Sequence, residues 1–254
     1  MSEREKPWWE TDVTRVLSEV NDFYERVEKL YPDKGKIPFT KKKIIEVRGW
    51  APTTYMFEAH FDAVLKQLGF VYIPNRVKPG PTFIFPILDV DGNYTCAQTK
   101  PSEGSVLCFS GMKYRYIGGK PIGPRWLGMD AATIKKIMEL RKVVVVEGGF
   151  DLLAARLMAP DIPIVSPLTK KLGWSHLMFL RMLSVTEVLL MYDNEEAKTG
   201  RGEGAGNVSM EQQIAAVKTM KLSALICPKS DPSTCLQNPD SAKKLRERLL
   251  CEFQ

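Results

Sequence analysis

Lys142-Val143-Val144-Val145-Val146-Glu147-Gly148-Gly149-Phe150-Asp151 is the stretch whose reading decides the fold. Four consecutive β-branched residues with no polar face predict a strand buried on both sides, as in a parallel sheet covered by helices. The Gly148-Gly149 pair gives a tight turn. It leaves Glu147 at the strand end and Asp151 on the first turn of a helix predicted from Phe150 to Met158.

Outward from this stretch, strands and helices alternate. A helix over Asp130 to Leu140, with Asp130 as N-cap, leads into the valine strand. A strand at Ile162 to Ser166, a helix at Trp174 to Leu183 and a strand at Thr186 to Tyr192 follow it. A glycine-rich loop, Thr199 to Gly206, then precedes a helix at Ser209 to Met220, a short strand at Ala224 to Cys227 and a last helix at Asp240 to Leu250. Apolar strands separated by helices predict an α/β fold with a parallel sheet. No internal repeat is present.

The first half reads differently. Val13, Val16, Leu17, Val20, Phe23, Tyr24, Val27, Leu30 and Tyr31 have the period of an amphipathic helix ending near Pro32. A basic segment runs from Lys34 to Arg48, and Phe57, Phe61, Val64, Leu65 and Leu68 mark a second helix closed by Gly69. Thr82 to Val90 and Tyr94 to Thr99 read as antiparallel strands around an Asp91-Gly92 turn. Ser105 to Ser110 and Lys113 to Ile117 extend this short-strand region. The expected division is 1–128, a smaller mixed α+β part, and 129–254, the parallel sheet with its C-terminal helix.

Of the 254 residues, 44% are apolar and 26% charged, an ordinary globular balance. No stretch approaches the ~20 apolar residues of a membrane helix, and Met1 to Glu10 is charged, so no membrane partner and a cytoplasmic location are expected. The five cysteines form no CxxC pair, and with only two histidines to help they predict neither a zinc site nor a disulfide framework. Residues 1–33 carry 5 basic and 9 acidic side chains, residues 34–140 carry 16 and 8, and residues 141–254 carry 15 and 13. The basic excess lies in the middle of the chain, as a phosphate-rich partner would favour.

In such a sheet, functional groups gather where strands end and helices begin. Glu147 and Asp151 follow the valine strand, Asp193 and Glu195 follow Val188 to Tyr192, and Asp231 follows the last short strand. Carboxylates converging there repel one another unless a hard cation neutralises them, so Mg²⁺ or Mn²⁺ is expected. Such ions serve phosphodiester chemistry. His176, at a helix start, reads as a capping or core residue, and Gly200 to Gly206 as a loop rather than a dinucleotide site.

Glu147-Gly148-Gly149-Phe150-Asp151 resembles the Glu-Gly-x-x-Asp motif of DnaG-type primases, and Asp193-Asn194-Glu195 resembles their Asp-x-Asp motif. Lys229-Ser230-Asp231-Pro232 is similar to their Lys-Asp-Pro-Asp segment. Phe83 to Ile87, Lys113 to Ile117 and Trp126-Leu127-Gly128-Met129-Asp130 resemble earlier parts of the same core, in the same order. The resemblance spans roughly residues 80–240. It departs at Glu195, where the family has Asp; at the insertion Lys198 to Gly206, which delays the next helix; and at Ser233, where a second acid is missing.

The resemblance implies a DNA primase: a Toprim-type sheet behind a basic subdomain, making short RNA primers on single-stranded DNA from ribonucleoside triphosphates. Glu147, Asp193 and Glu195 would be catalytic, and with Asp151 and Asp231 would hold the metal. Lys113, Arg115, Tyr116, Lys120 and Arg125 would bind nucleotide or template, cations neutralising phosphate and aromatic faces stacking on bases. The family's zinc-binding and helicase-interaction modules have no counterpart in these residues, so a replicative helicase, a polymerase or a separate zinc-bearing subunit would be the partner. A phage or plasmid origin would suit so compact a core, in host cytoplasm if phage-encoded. A Toprim nuclease shares the acids, and a degenerate primase would bind DNA or a partner without activity.

Overall fold

The computed structural model describes residues 37–38, 50, 55–68, 71–73, 82–88, 94–100, 115–117, 125–169, 171–194 and 205–254. The expected helix at 13–31, the basic segment apart from 37–38, the Asp91-Gly92 turn, the strand at 105–110, Lys113, Lys120, Glu195 and the loop at 199–204 lie outside them. The chain divides into two compact units, Met1–Phe39 with Leu68–Gly123 and Thr40–Gln67 with Pro124–Gln254. The expected division at 128/129 puts residues 40–67 in the first part; here they group with the second.

The first unit contains a five-stranded antiparallel sheet in the order β1-β2-β3-β4-β5. Its strands are β1 (Ile37–Pro38), β2 (Val71–Ile73), β3 (Thr82–Leu88), β4 (Tyr94–Lys100) and β5 (Arg115–Ile117). Phe83, Phe85 and Ile87, which strand alternation puts on one face of β3, are all buried, as is Pro86.

The second unit is an α/β structure with a four-stranded parallel sheet flanked by helices. It contains α1 (Tyr55–Leu68), α2 (Ala131–Leu140), β6 (Lys142–Val146), α3 (Gly149–Met158), β7 (Ile164–Val165), α4 (Trp174–Met182) and β8 (Glu187–Met191). After them come α5 (Ala205–Ala216), β9 (Lys221–Ala224), α6 (Pro232–Cys235) and α7 (Pro239–Cys251). The sheet order is β7-β6-β8-β9, all parallel, with Val144 opposite Ile164 and Leu189, and Leu189 opposite Ser223. The valine strand is therefore interior to the sheet.

Val143 to Val146 have no exposed surface. Burying each stabilises the fold by roughly 1.5 kcal/mol or more. Val143, Val145, Val188 and Leu190 face one cluster with Ile137 of α2, Leu177 and Leu180 of α4 and Met210 of α5. Val144, Val146, Leu189 and Met191 point the other way by strand alternation. Helices α3, α6 and α7, which contribute nothing to the first cluster, pack on one another.

Several boundaries differ from expectation. β7 is short because Pro163 offers only a carbonyl, taken by Val144 N–H at 3.0 Å, and because Ser166 turns away into an antiparallel bridge with Leu127. Helix α5 is already formed at Ala205, so the insertion does not delay it to Ser209, and it ends at Ala216 because Lys221 begins β9. β9 itself lies at Lys221–Ala224 rather than Ala224–Cys227. Leu225 N–H still reaches Leu190 O, at 2.8 Å, but the chain then leaves the sheet and Ile226 is exposed.

Candidate active site

The ends of β6 and β8 meet at their carboxyl edge. These strands are neighbours in register through Val146 opposite Met191, so the next residues emerge side by side. Glu147 Oε1 accepts the Asp193 backbone N–H at 3.2 Å, joining two half-buried acids 46 positions apart in sequence. The Glu147 backbone is held as well: Ser166 Oγ, fully buried, donates to Glu147 O at 2.9 Å and accepts from Leu168 N–H at 3.1 Å.

Asp151 lies in the first turn of α3, where a carboxylate suits the positive end of a helix. Its Oδ2 would stand 3.2 Å from a Cβ placed on Gly148, so glycine lets this side chain fold back toward the strand end. Asp231 has a different setting. It is the N-cap of α6, accepting from Thr234 N–H at 2.6 Å, Thr234 Oγ1 at 2.9 Å and Ser230 Oγ at 2.9 Å. Its role as a cap is visible in the geometry, whereas the sequence pattern gives no sign of α6.

The buried Cys227 thiol feels both acids: its pKa is pushed well up by a thiol hydrogen bond with Cys235, by burial, and then by the negative charges of Asp151 and Asp231. Beside Asp193, the Tyr192 phenol is raised above its ordinary value by burial, with Gln213 opposing and the Glu147 charge adding to the effect.

Asn194 is not singled out by the sequence motifs, yet it ties this edge together. Its backbone N–H donates to Ser230 O at 2.6 Å and its side-chain Nδ2 to Cys227 O at 3.0 Å. The signal available is an amide between two acids just past a strand, which is a residue type able to mimic a backbone donor.

Among the described residues no group of three or more His, Cys, Asp or Glu side chains could enclose a metal ion by itself. The Glu147 carboxylate is bonded to the Asp193 backbone, and Asp151 and Asp231 are not gathered with these two residues into one protein cage. Glu147, with the acid of the adjacent strand end, suits a sparser mode, common for Mg²⁺, in which one or two carboxylates share the ion with water and substrate phosphate.

Of the nucleotide-binding candidates, Arg115 and Tyr116 lie on β5 of the first unit. Arg125 is half-buried in the second, directly before Trp126. Trp126 makes an edge contact with His176 at 5.0 Å between centroids. His176 is a helix-start residue as expected, its Nδ1 accepting Gly173 N–H at 3.3 Å. Burial lowers its pKa, with Arg125 contributing a raising backbone bond and a lowering charge.

No protein-family model and no curated protein sequence matches the chain. Solved structures do. The RNA polymerase domain of Mycobacterium tuberculosis primase DnaG superposes with a TM-score of 0.62 at 14% identity, over 94% of this chain and 82% of that one. The primase fragment of the bacteriophage T7 primase-helicase protein gives 0.55 at 14% identity, over 88% and 77%. A DnaG primase catalytic domain bound to single-stranded DNA gives 0.55 at 16% identity, over 93% and 80%. The motifs in their order and these superpositions agree: the chain has the fold of the catalytic core of DnaG-type primases.

Proposed function

We propose that the chain is a primase that joins ribonucleotides on a single-stranded DNA template. The observation that carries this is the Glu147–Asp193 contact at the carboxyl edge of adjacent strands, in a fold shared with primase catalytic domains. The bond made is between a 3′-hydroxyl oxygen and the α-phosphorus of a nucleoside triphosphate; pyrophosphate leaves. Glu147 and Asp193 would hold a divalent cation, with Glu195, Asp151 and Asp231 as further carboxylates for it or a second ion. Such a cation, when bound, would supply charge neutralisation on phosphate and a lowered pKa for the attacking hydroxyl.

The residues of the chain do the rest. The Asp193 amide fixes the Glu147 carboxylate, and Ser166 fixes its backbone, so its position is set before substrate arrives. Arg125, with Lys113, Arg115 and Lys120, would neutralise triphosphate and template phosphates, and Tyr116 would stack on a base. The nucleic-acid neighbour supports a DNA partner of this kind.

Nucleotide incorporation on single-stranded DNA with Mg²⁺ or Mn²⁺, run beside a strand-breakage assay, tests the reading. Incorporation is expected, and Glu147→Gln and Asp193→Asn should each reduce it by at least about a hundredfold at unchanged thermal midpoint. Breakage without incorporation points to a nuclease. Binding without either reaction leaves a DNA-binding relative of primases.

A further inference from the structure

Three hydrogen bonds leave two consecutive residues, Asp193 and Asn194, just past the end of β8. Asp193 N–H points to Glu147 Oε1 at 3.2 Å, while Asn194 N–H points to Ser230 O at 2.6 Å. The Asn194 side chain then reaches Cys227 O through Nδ2 at 3.0 Å. The ladder between β8 and β9 has ended by this point, its last bond being Leu225 N–H to Leu190 O. Beyond it, the Asn194 amide replaces a strand donor and continues the attachment across to the 227–231 turn.

That turn carries Asp231 and the exposed Lys229. Its far end is fixed separately, by the Asp231 cap and by Trp50 Nε1 donating to Ser233 Oγ at 3.2 Å. Asn194 is 8% exposed, so its donors are withdrawn from bulk water and depend on these carbonyls. Its side chain goes to the turn, while its neighbour Asp193 is drawn by its own amide toward Glu147.

We propose that Asn194 is a positioning residue: it fastens the 227–231 turn to the end of β8 and thereby fixes the spacing of the Glu147–Asp193 pair as a cation site. The inference rests on the reading of that pair as metal-binding. It predicts a sign that charge alone does not. Asn194→Asp keeps size and adds a carboxylate beside Asp193; as a simple electrostatic change it would tighten cation binding. Losing the donor sets the new carboxylate against Cys227 O, breaks the attachment, and should instead weaken binding by about ten- to a hundredfold, the usual range for residues that orient ligands.

The test is Mn²⁺ titration followed by electron paramagnetic resonance on the full chain, comparing wild type, Asn194→Asp, Asn194→Ala and Glu147→Gln. Weakened Mn²⁺ binding in both Asn194 variants, with thermal midpoints showing a folded protein, supports the proposal. Binding in Asn194→Asp equal to or tighter than wild type overturns it. If both variants fail to fold, hydrogen exchange on the wild type decides: slow exchange at the Asn194 amide supports the attachment, and exchange at the rate of an open loop overturns it. A wild type that binds Mn²⁺ through Glu147 but incorporates no nucleotide removes the primase reading and leaves the positioning role standing.

Discussion

Arg156 is 4% exposed, and its guanidinium is held on every side: Nε and Nη2 both reach Ile164 O at 3.0 Å, Nη2 also lies against Thr133 Oγ1 and Gly128 O, and Nη1 reaches Asp130. Burial opposes ionisation of Asp130, and Arg156 with the Thr133 and Gln67 bonds more than offsets it, holding the carboxyl below its ordinary value. Removing the cation alone strands that carboxylate. Arg156→Met should therefore cost about 3–5 kcal/mol of stability in a urea titration, and Arg156→Lys should recover little because an ammonium lacks the planar fork. Gly128 is bound to the same guanidinium. Its φ is +78°, and an added Cβ would lie 2.8 Å from the Arg156 Nη2 atom, so Gly128→Ala should destabilise through both strain and displacement of Arg156. An unchanged urea midpoint would count against it.

At the amino edge of the parallel sheet, opposite the acid pair, one carboxylate stitches three strands. Glu187 of β8 meets Lys142 of β6 at 3.3 Å and Lys221 of β9 at 2.8 Å. Burial disfavours the ionised Glu187, and the two lysines outweigh it, so its pKa lies below the ordinary glutamate value. The sign follows from linkage: a depressed folded pKa gives stability that is fully present above the unfolded value of about 4.3 and is lost as pH falls through the folded one. Urea midpoints should fall with pH below about 4, and Glu187→Gln should flatten that fall. An equal slope in the variant would refute the assignment. The elements most legible in the sequence are those whose pattern is set by full burial, β6 and β8, or by a cap, α2 with Asp130. β9 is harder to place because its burial alternates at an edge, with Lys221 and Ala224 exposed and Leu222 buried, whereas Ala224 to Cys227 is the more apolar run. The acids at strand ends can be read from the alternation of elements, but not that Asp231 caps α6 or that Asn194 carries the attachment. The second of these depends on a bond between segments more than thirty residues apart, and the first on a four-residue helix too short to show a period.

The whole molecule carries a formal charge of +6, with the basic excess in residues 34–140. Arg115→Ala and Arg125→Ala should each weaken single-stranded DNA binding and reduce the slope of log affinity against log salt by about 0.7 for each phosphate no longer neutralised. Fluorescence anisotropy between low and moderate salt checks this, and unchanged slopes would count against a phosphate role for both arginines. The tryptophans offer a further handle on such experiments. Trp50 and Trp126 are each 4% exposed and Trp174 is 70% exposed, while Trp8 and Trp9 lie outside the described residues. Trp174→Phe should therefore remove a red-shifted emission component that acrylamide quenches readily. Trp50 is different in kind, because its indole N–H is bonded to Ser233, two residues past Asp231. Its burial should shift its emission to the blue, making it an optical probe tied to the turn beside the acids, and a cation or triphosphate that displaces that turn should change the colour and lifetime of that emission without any label.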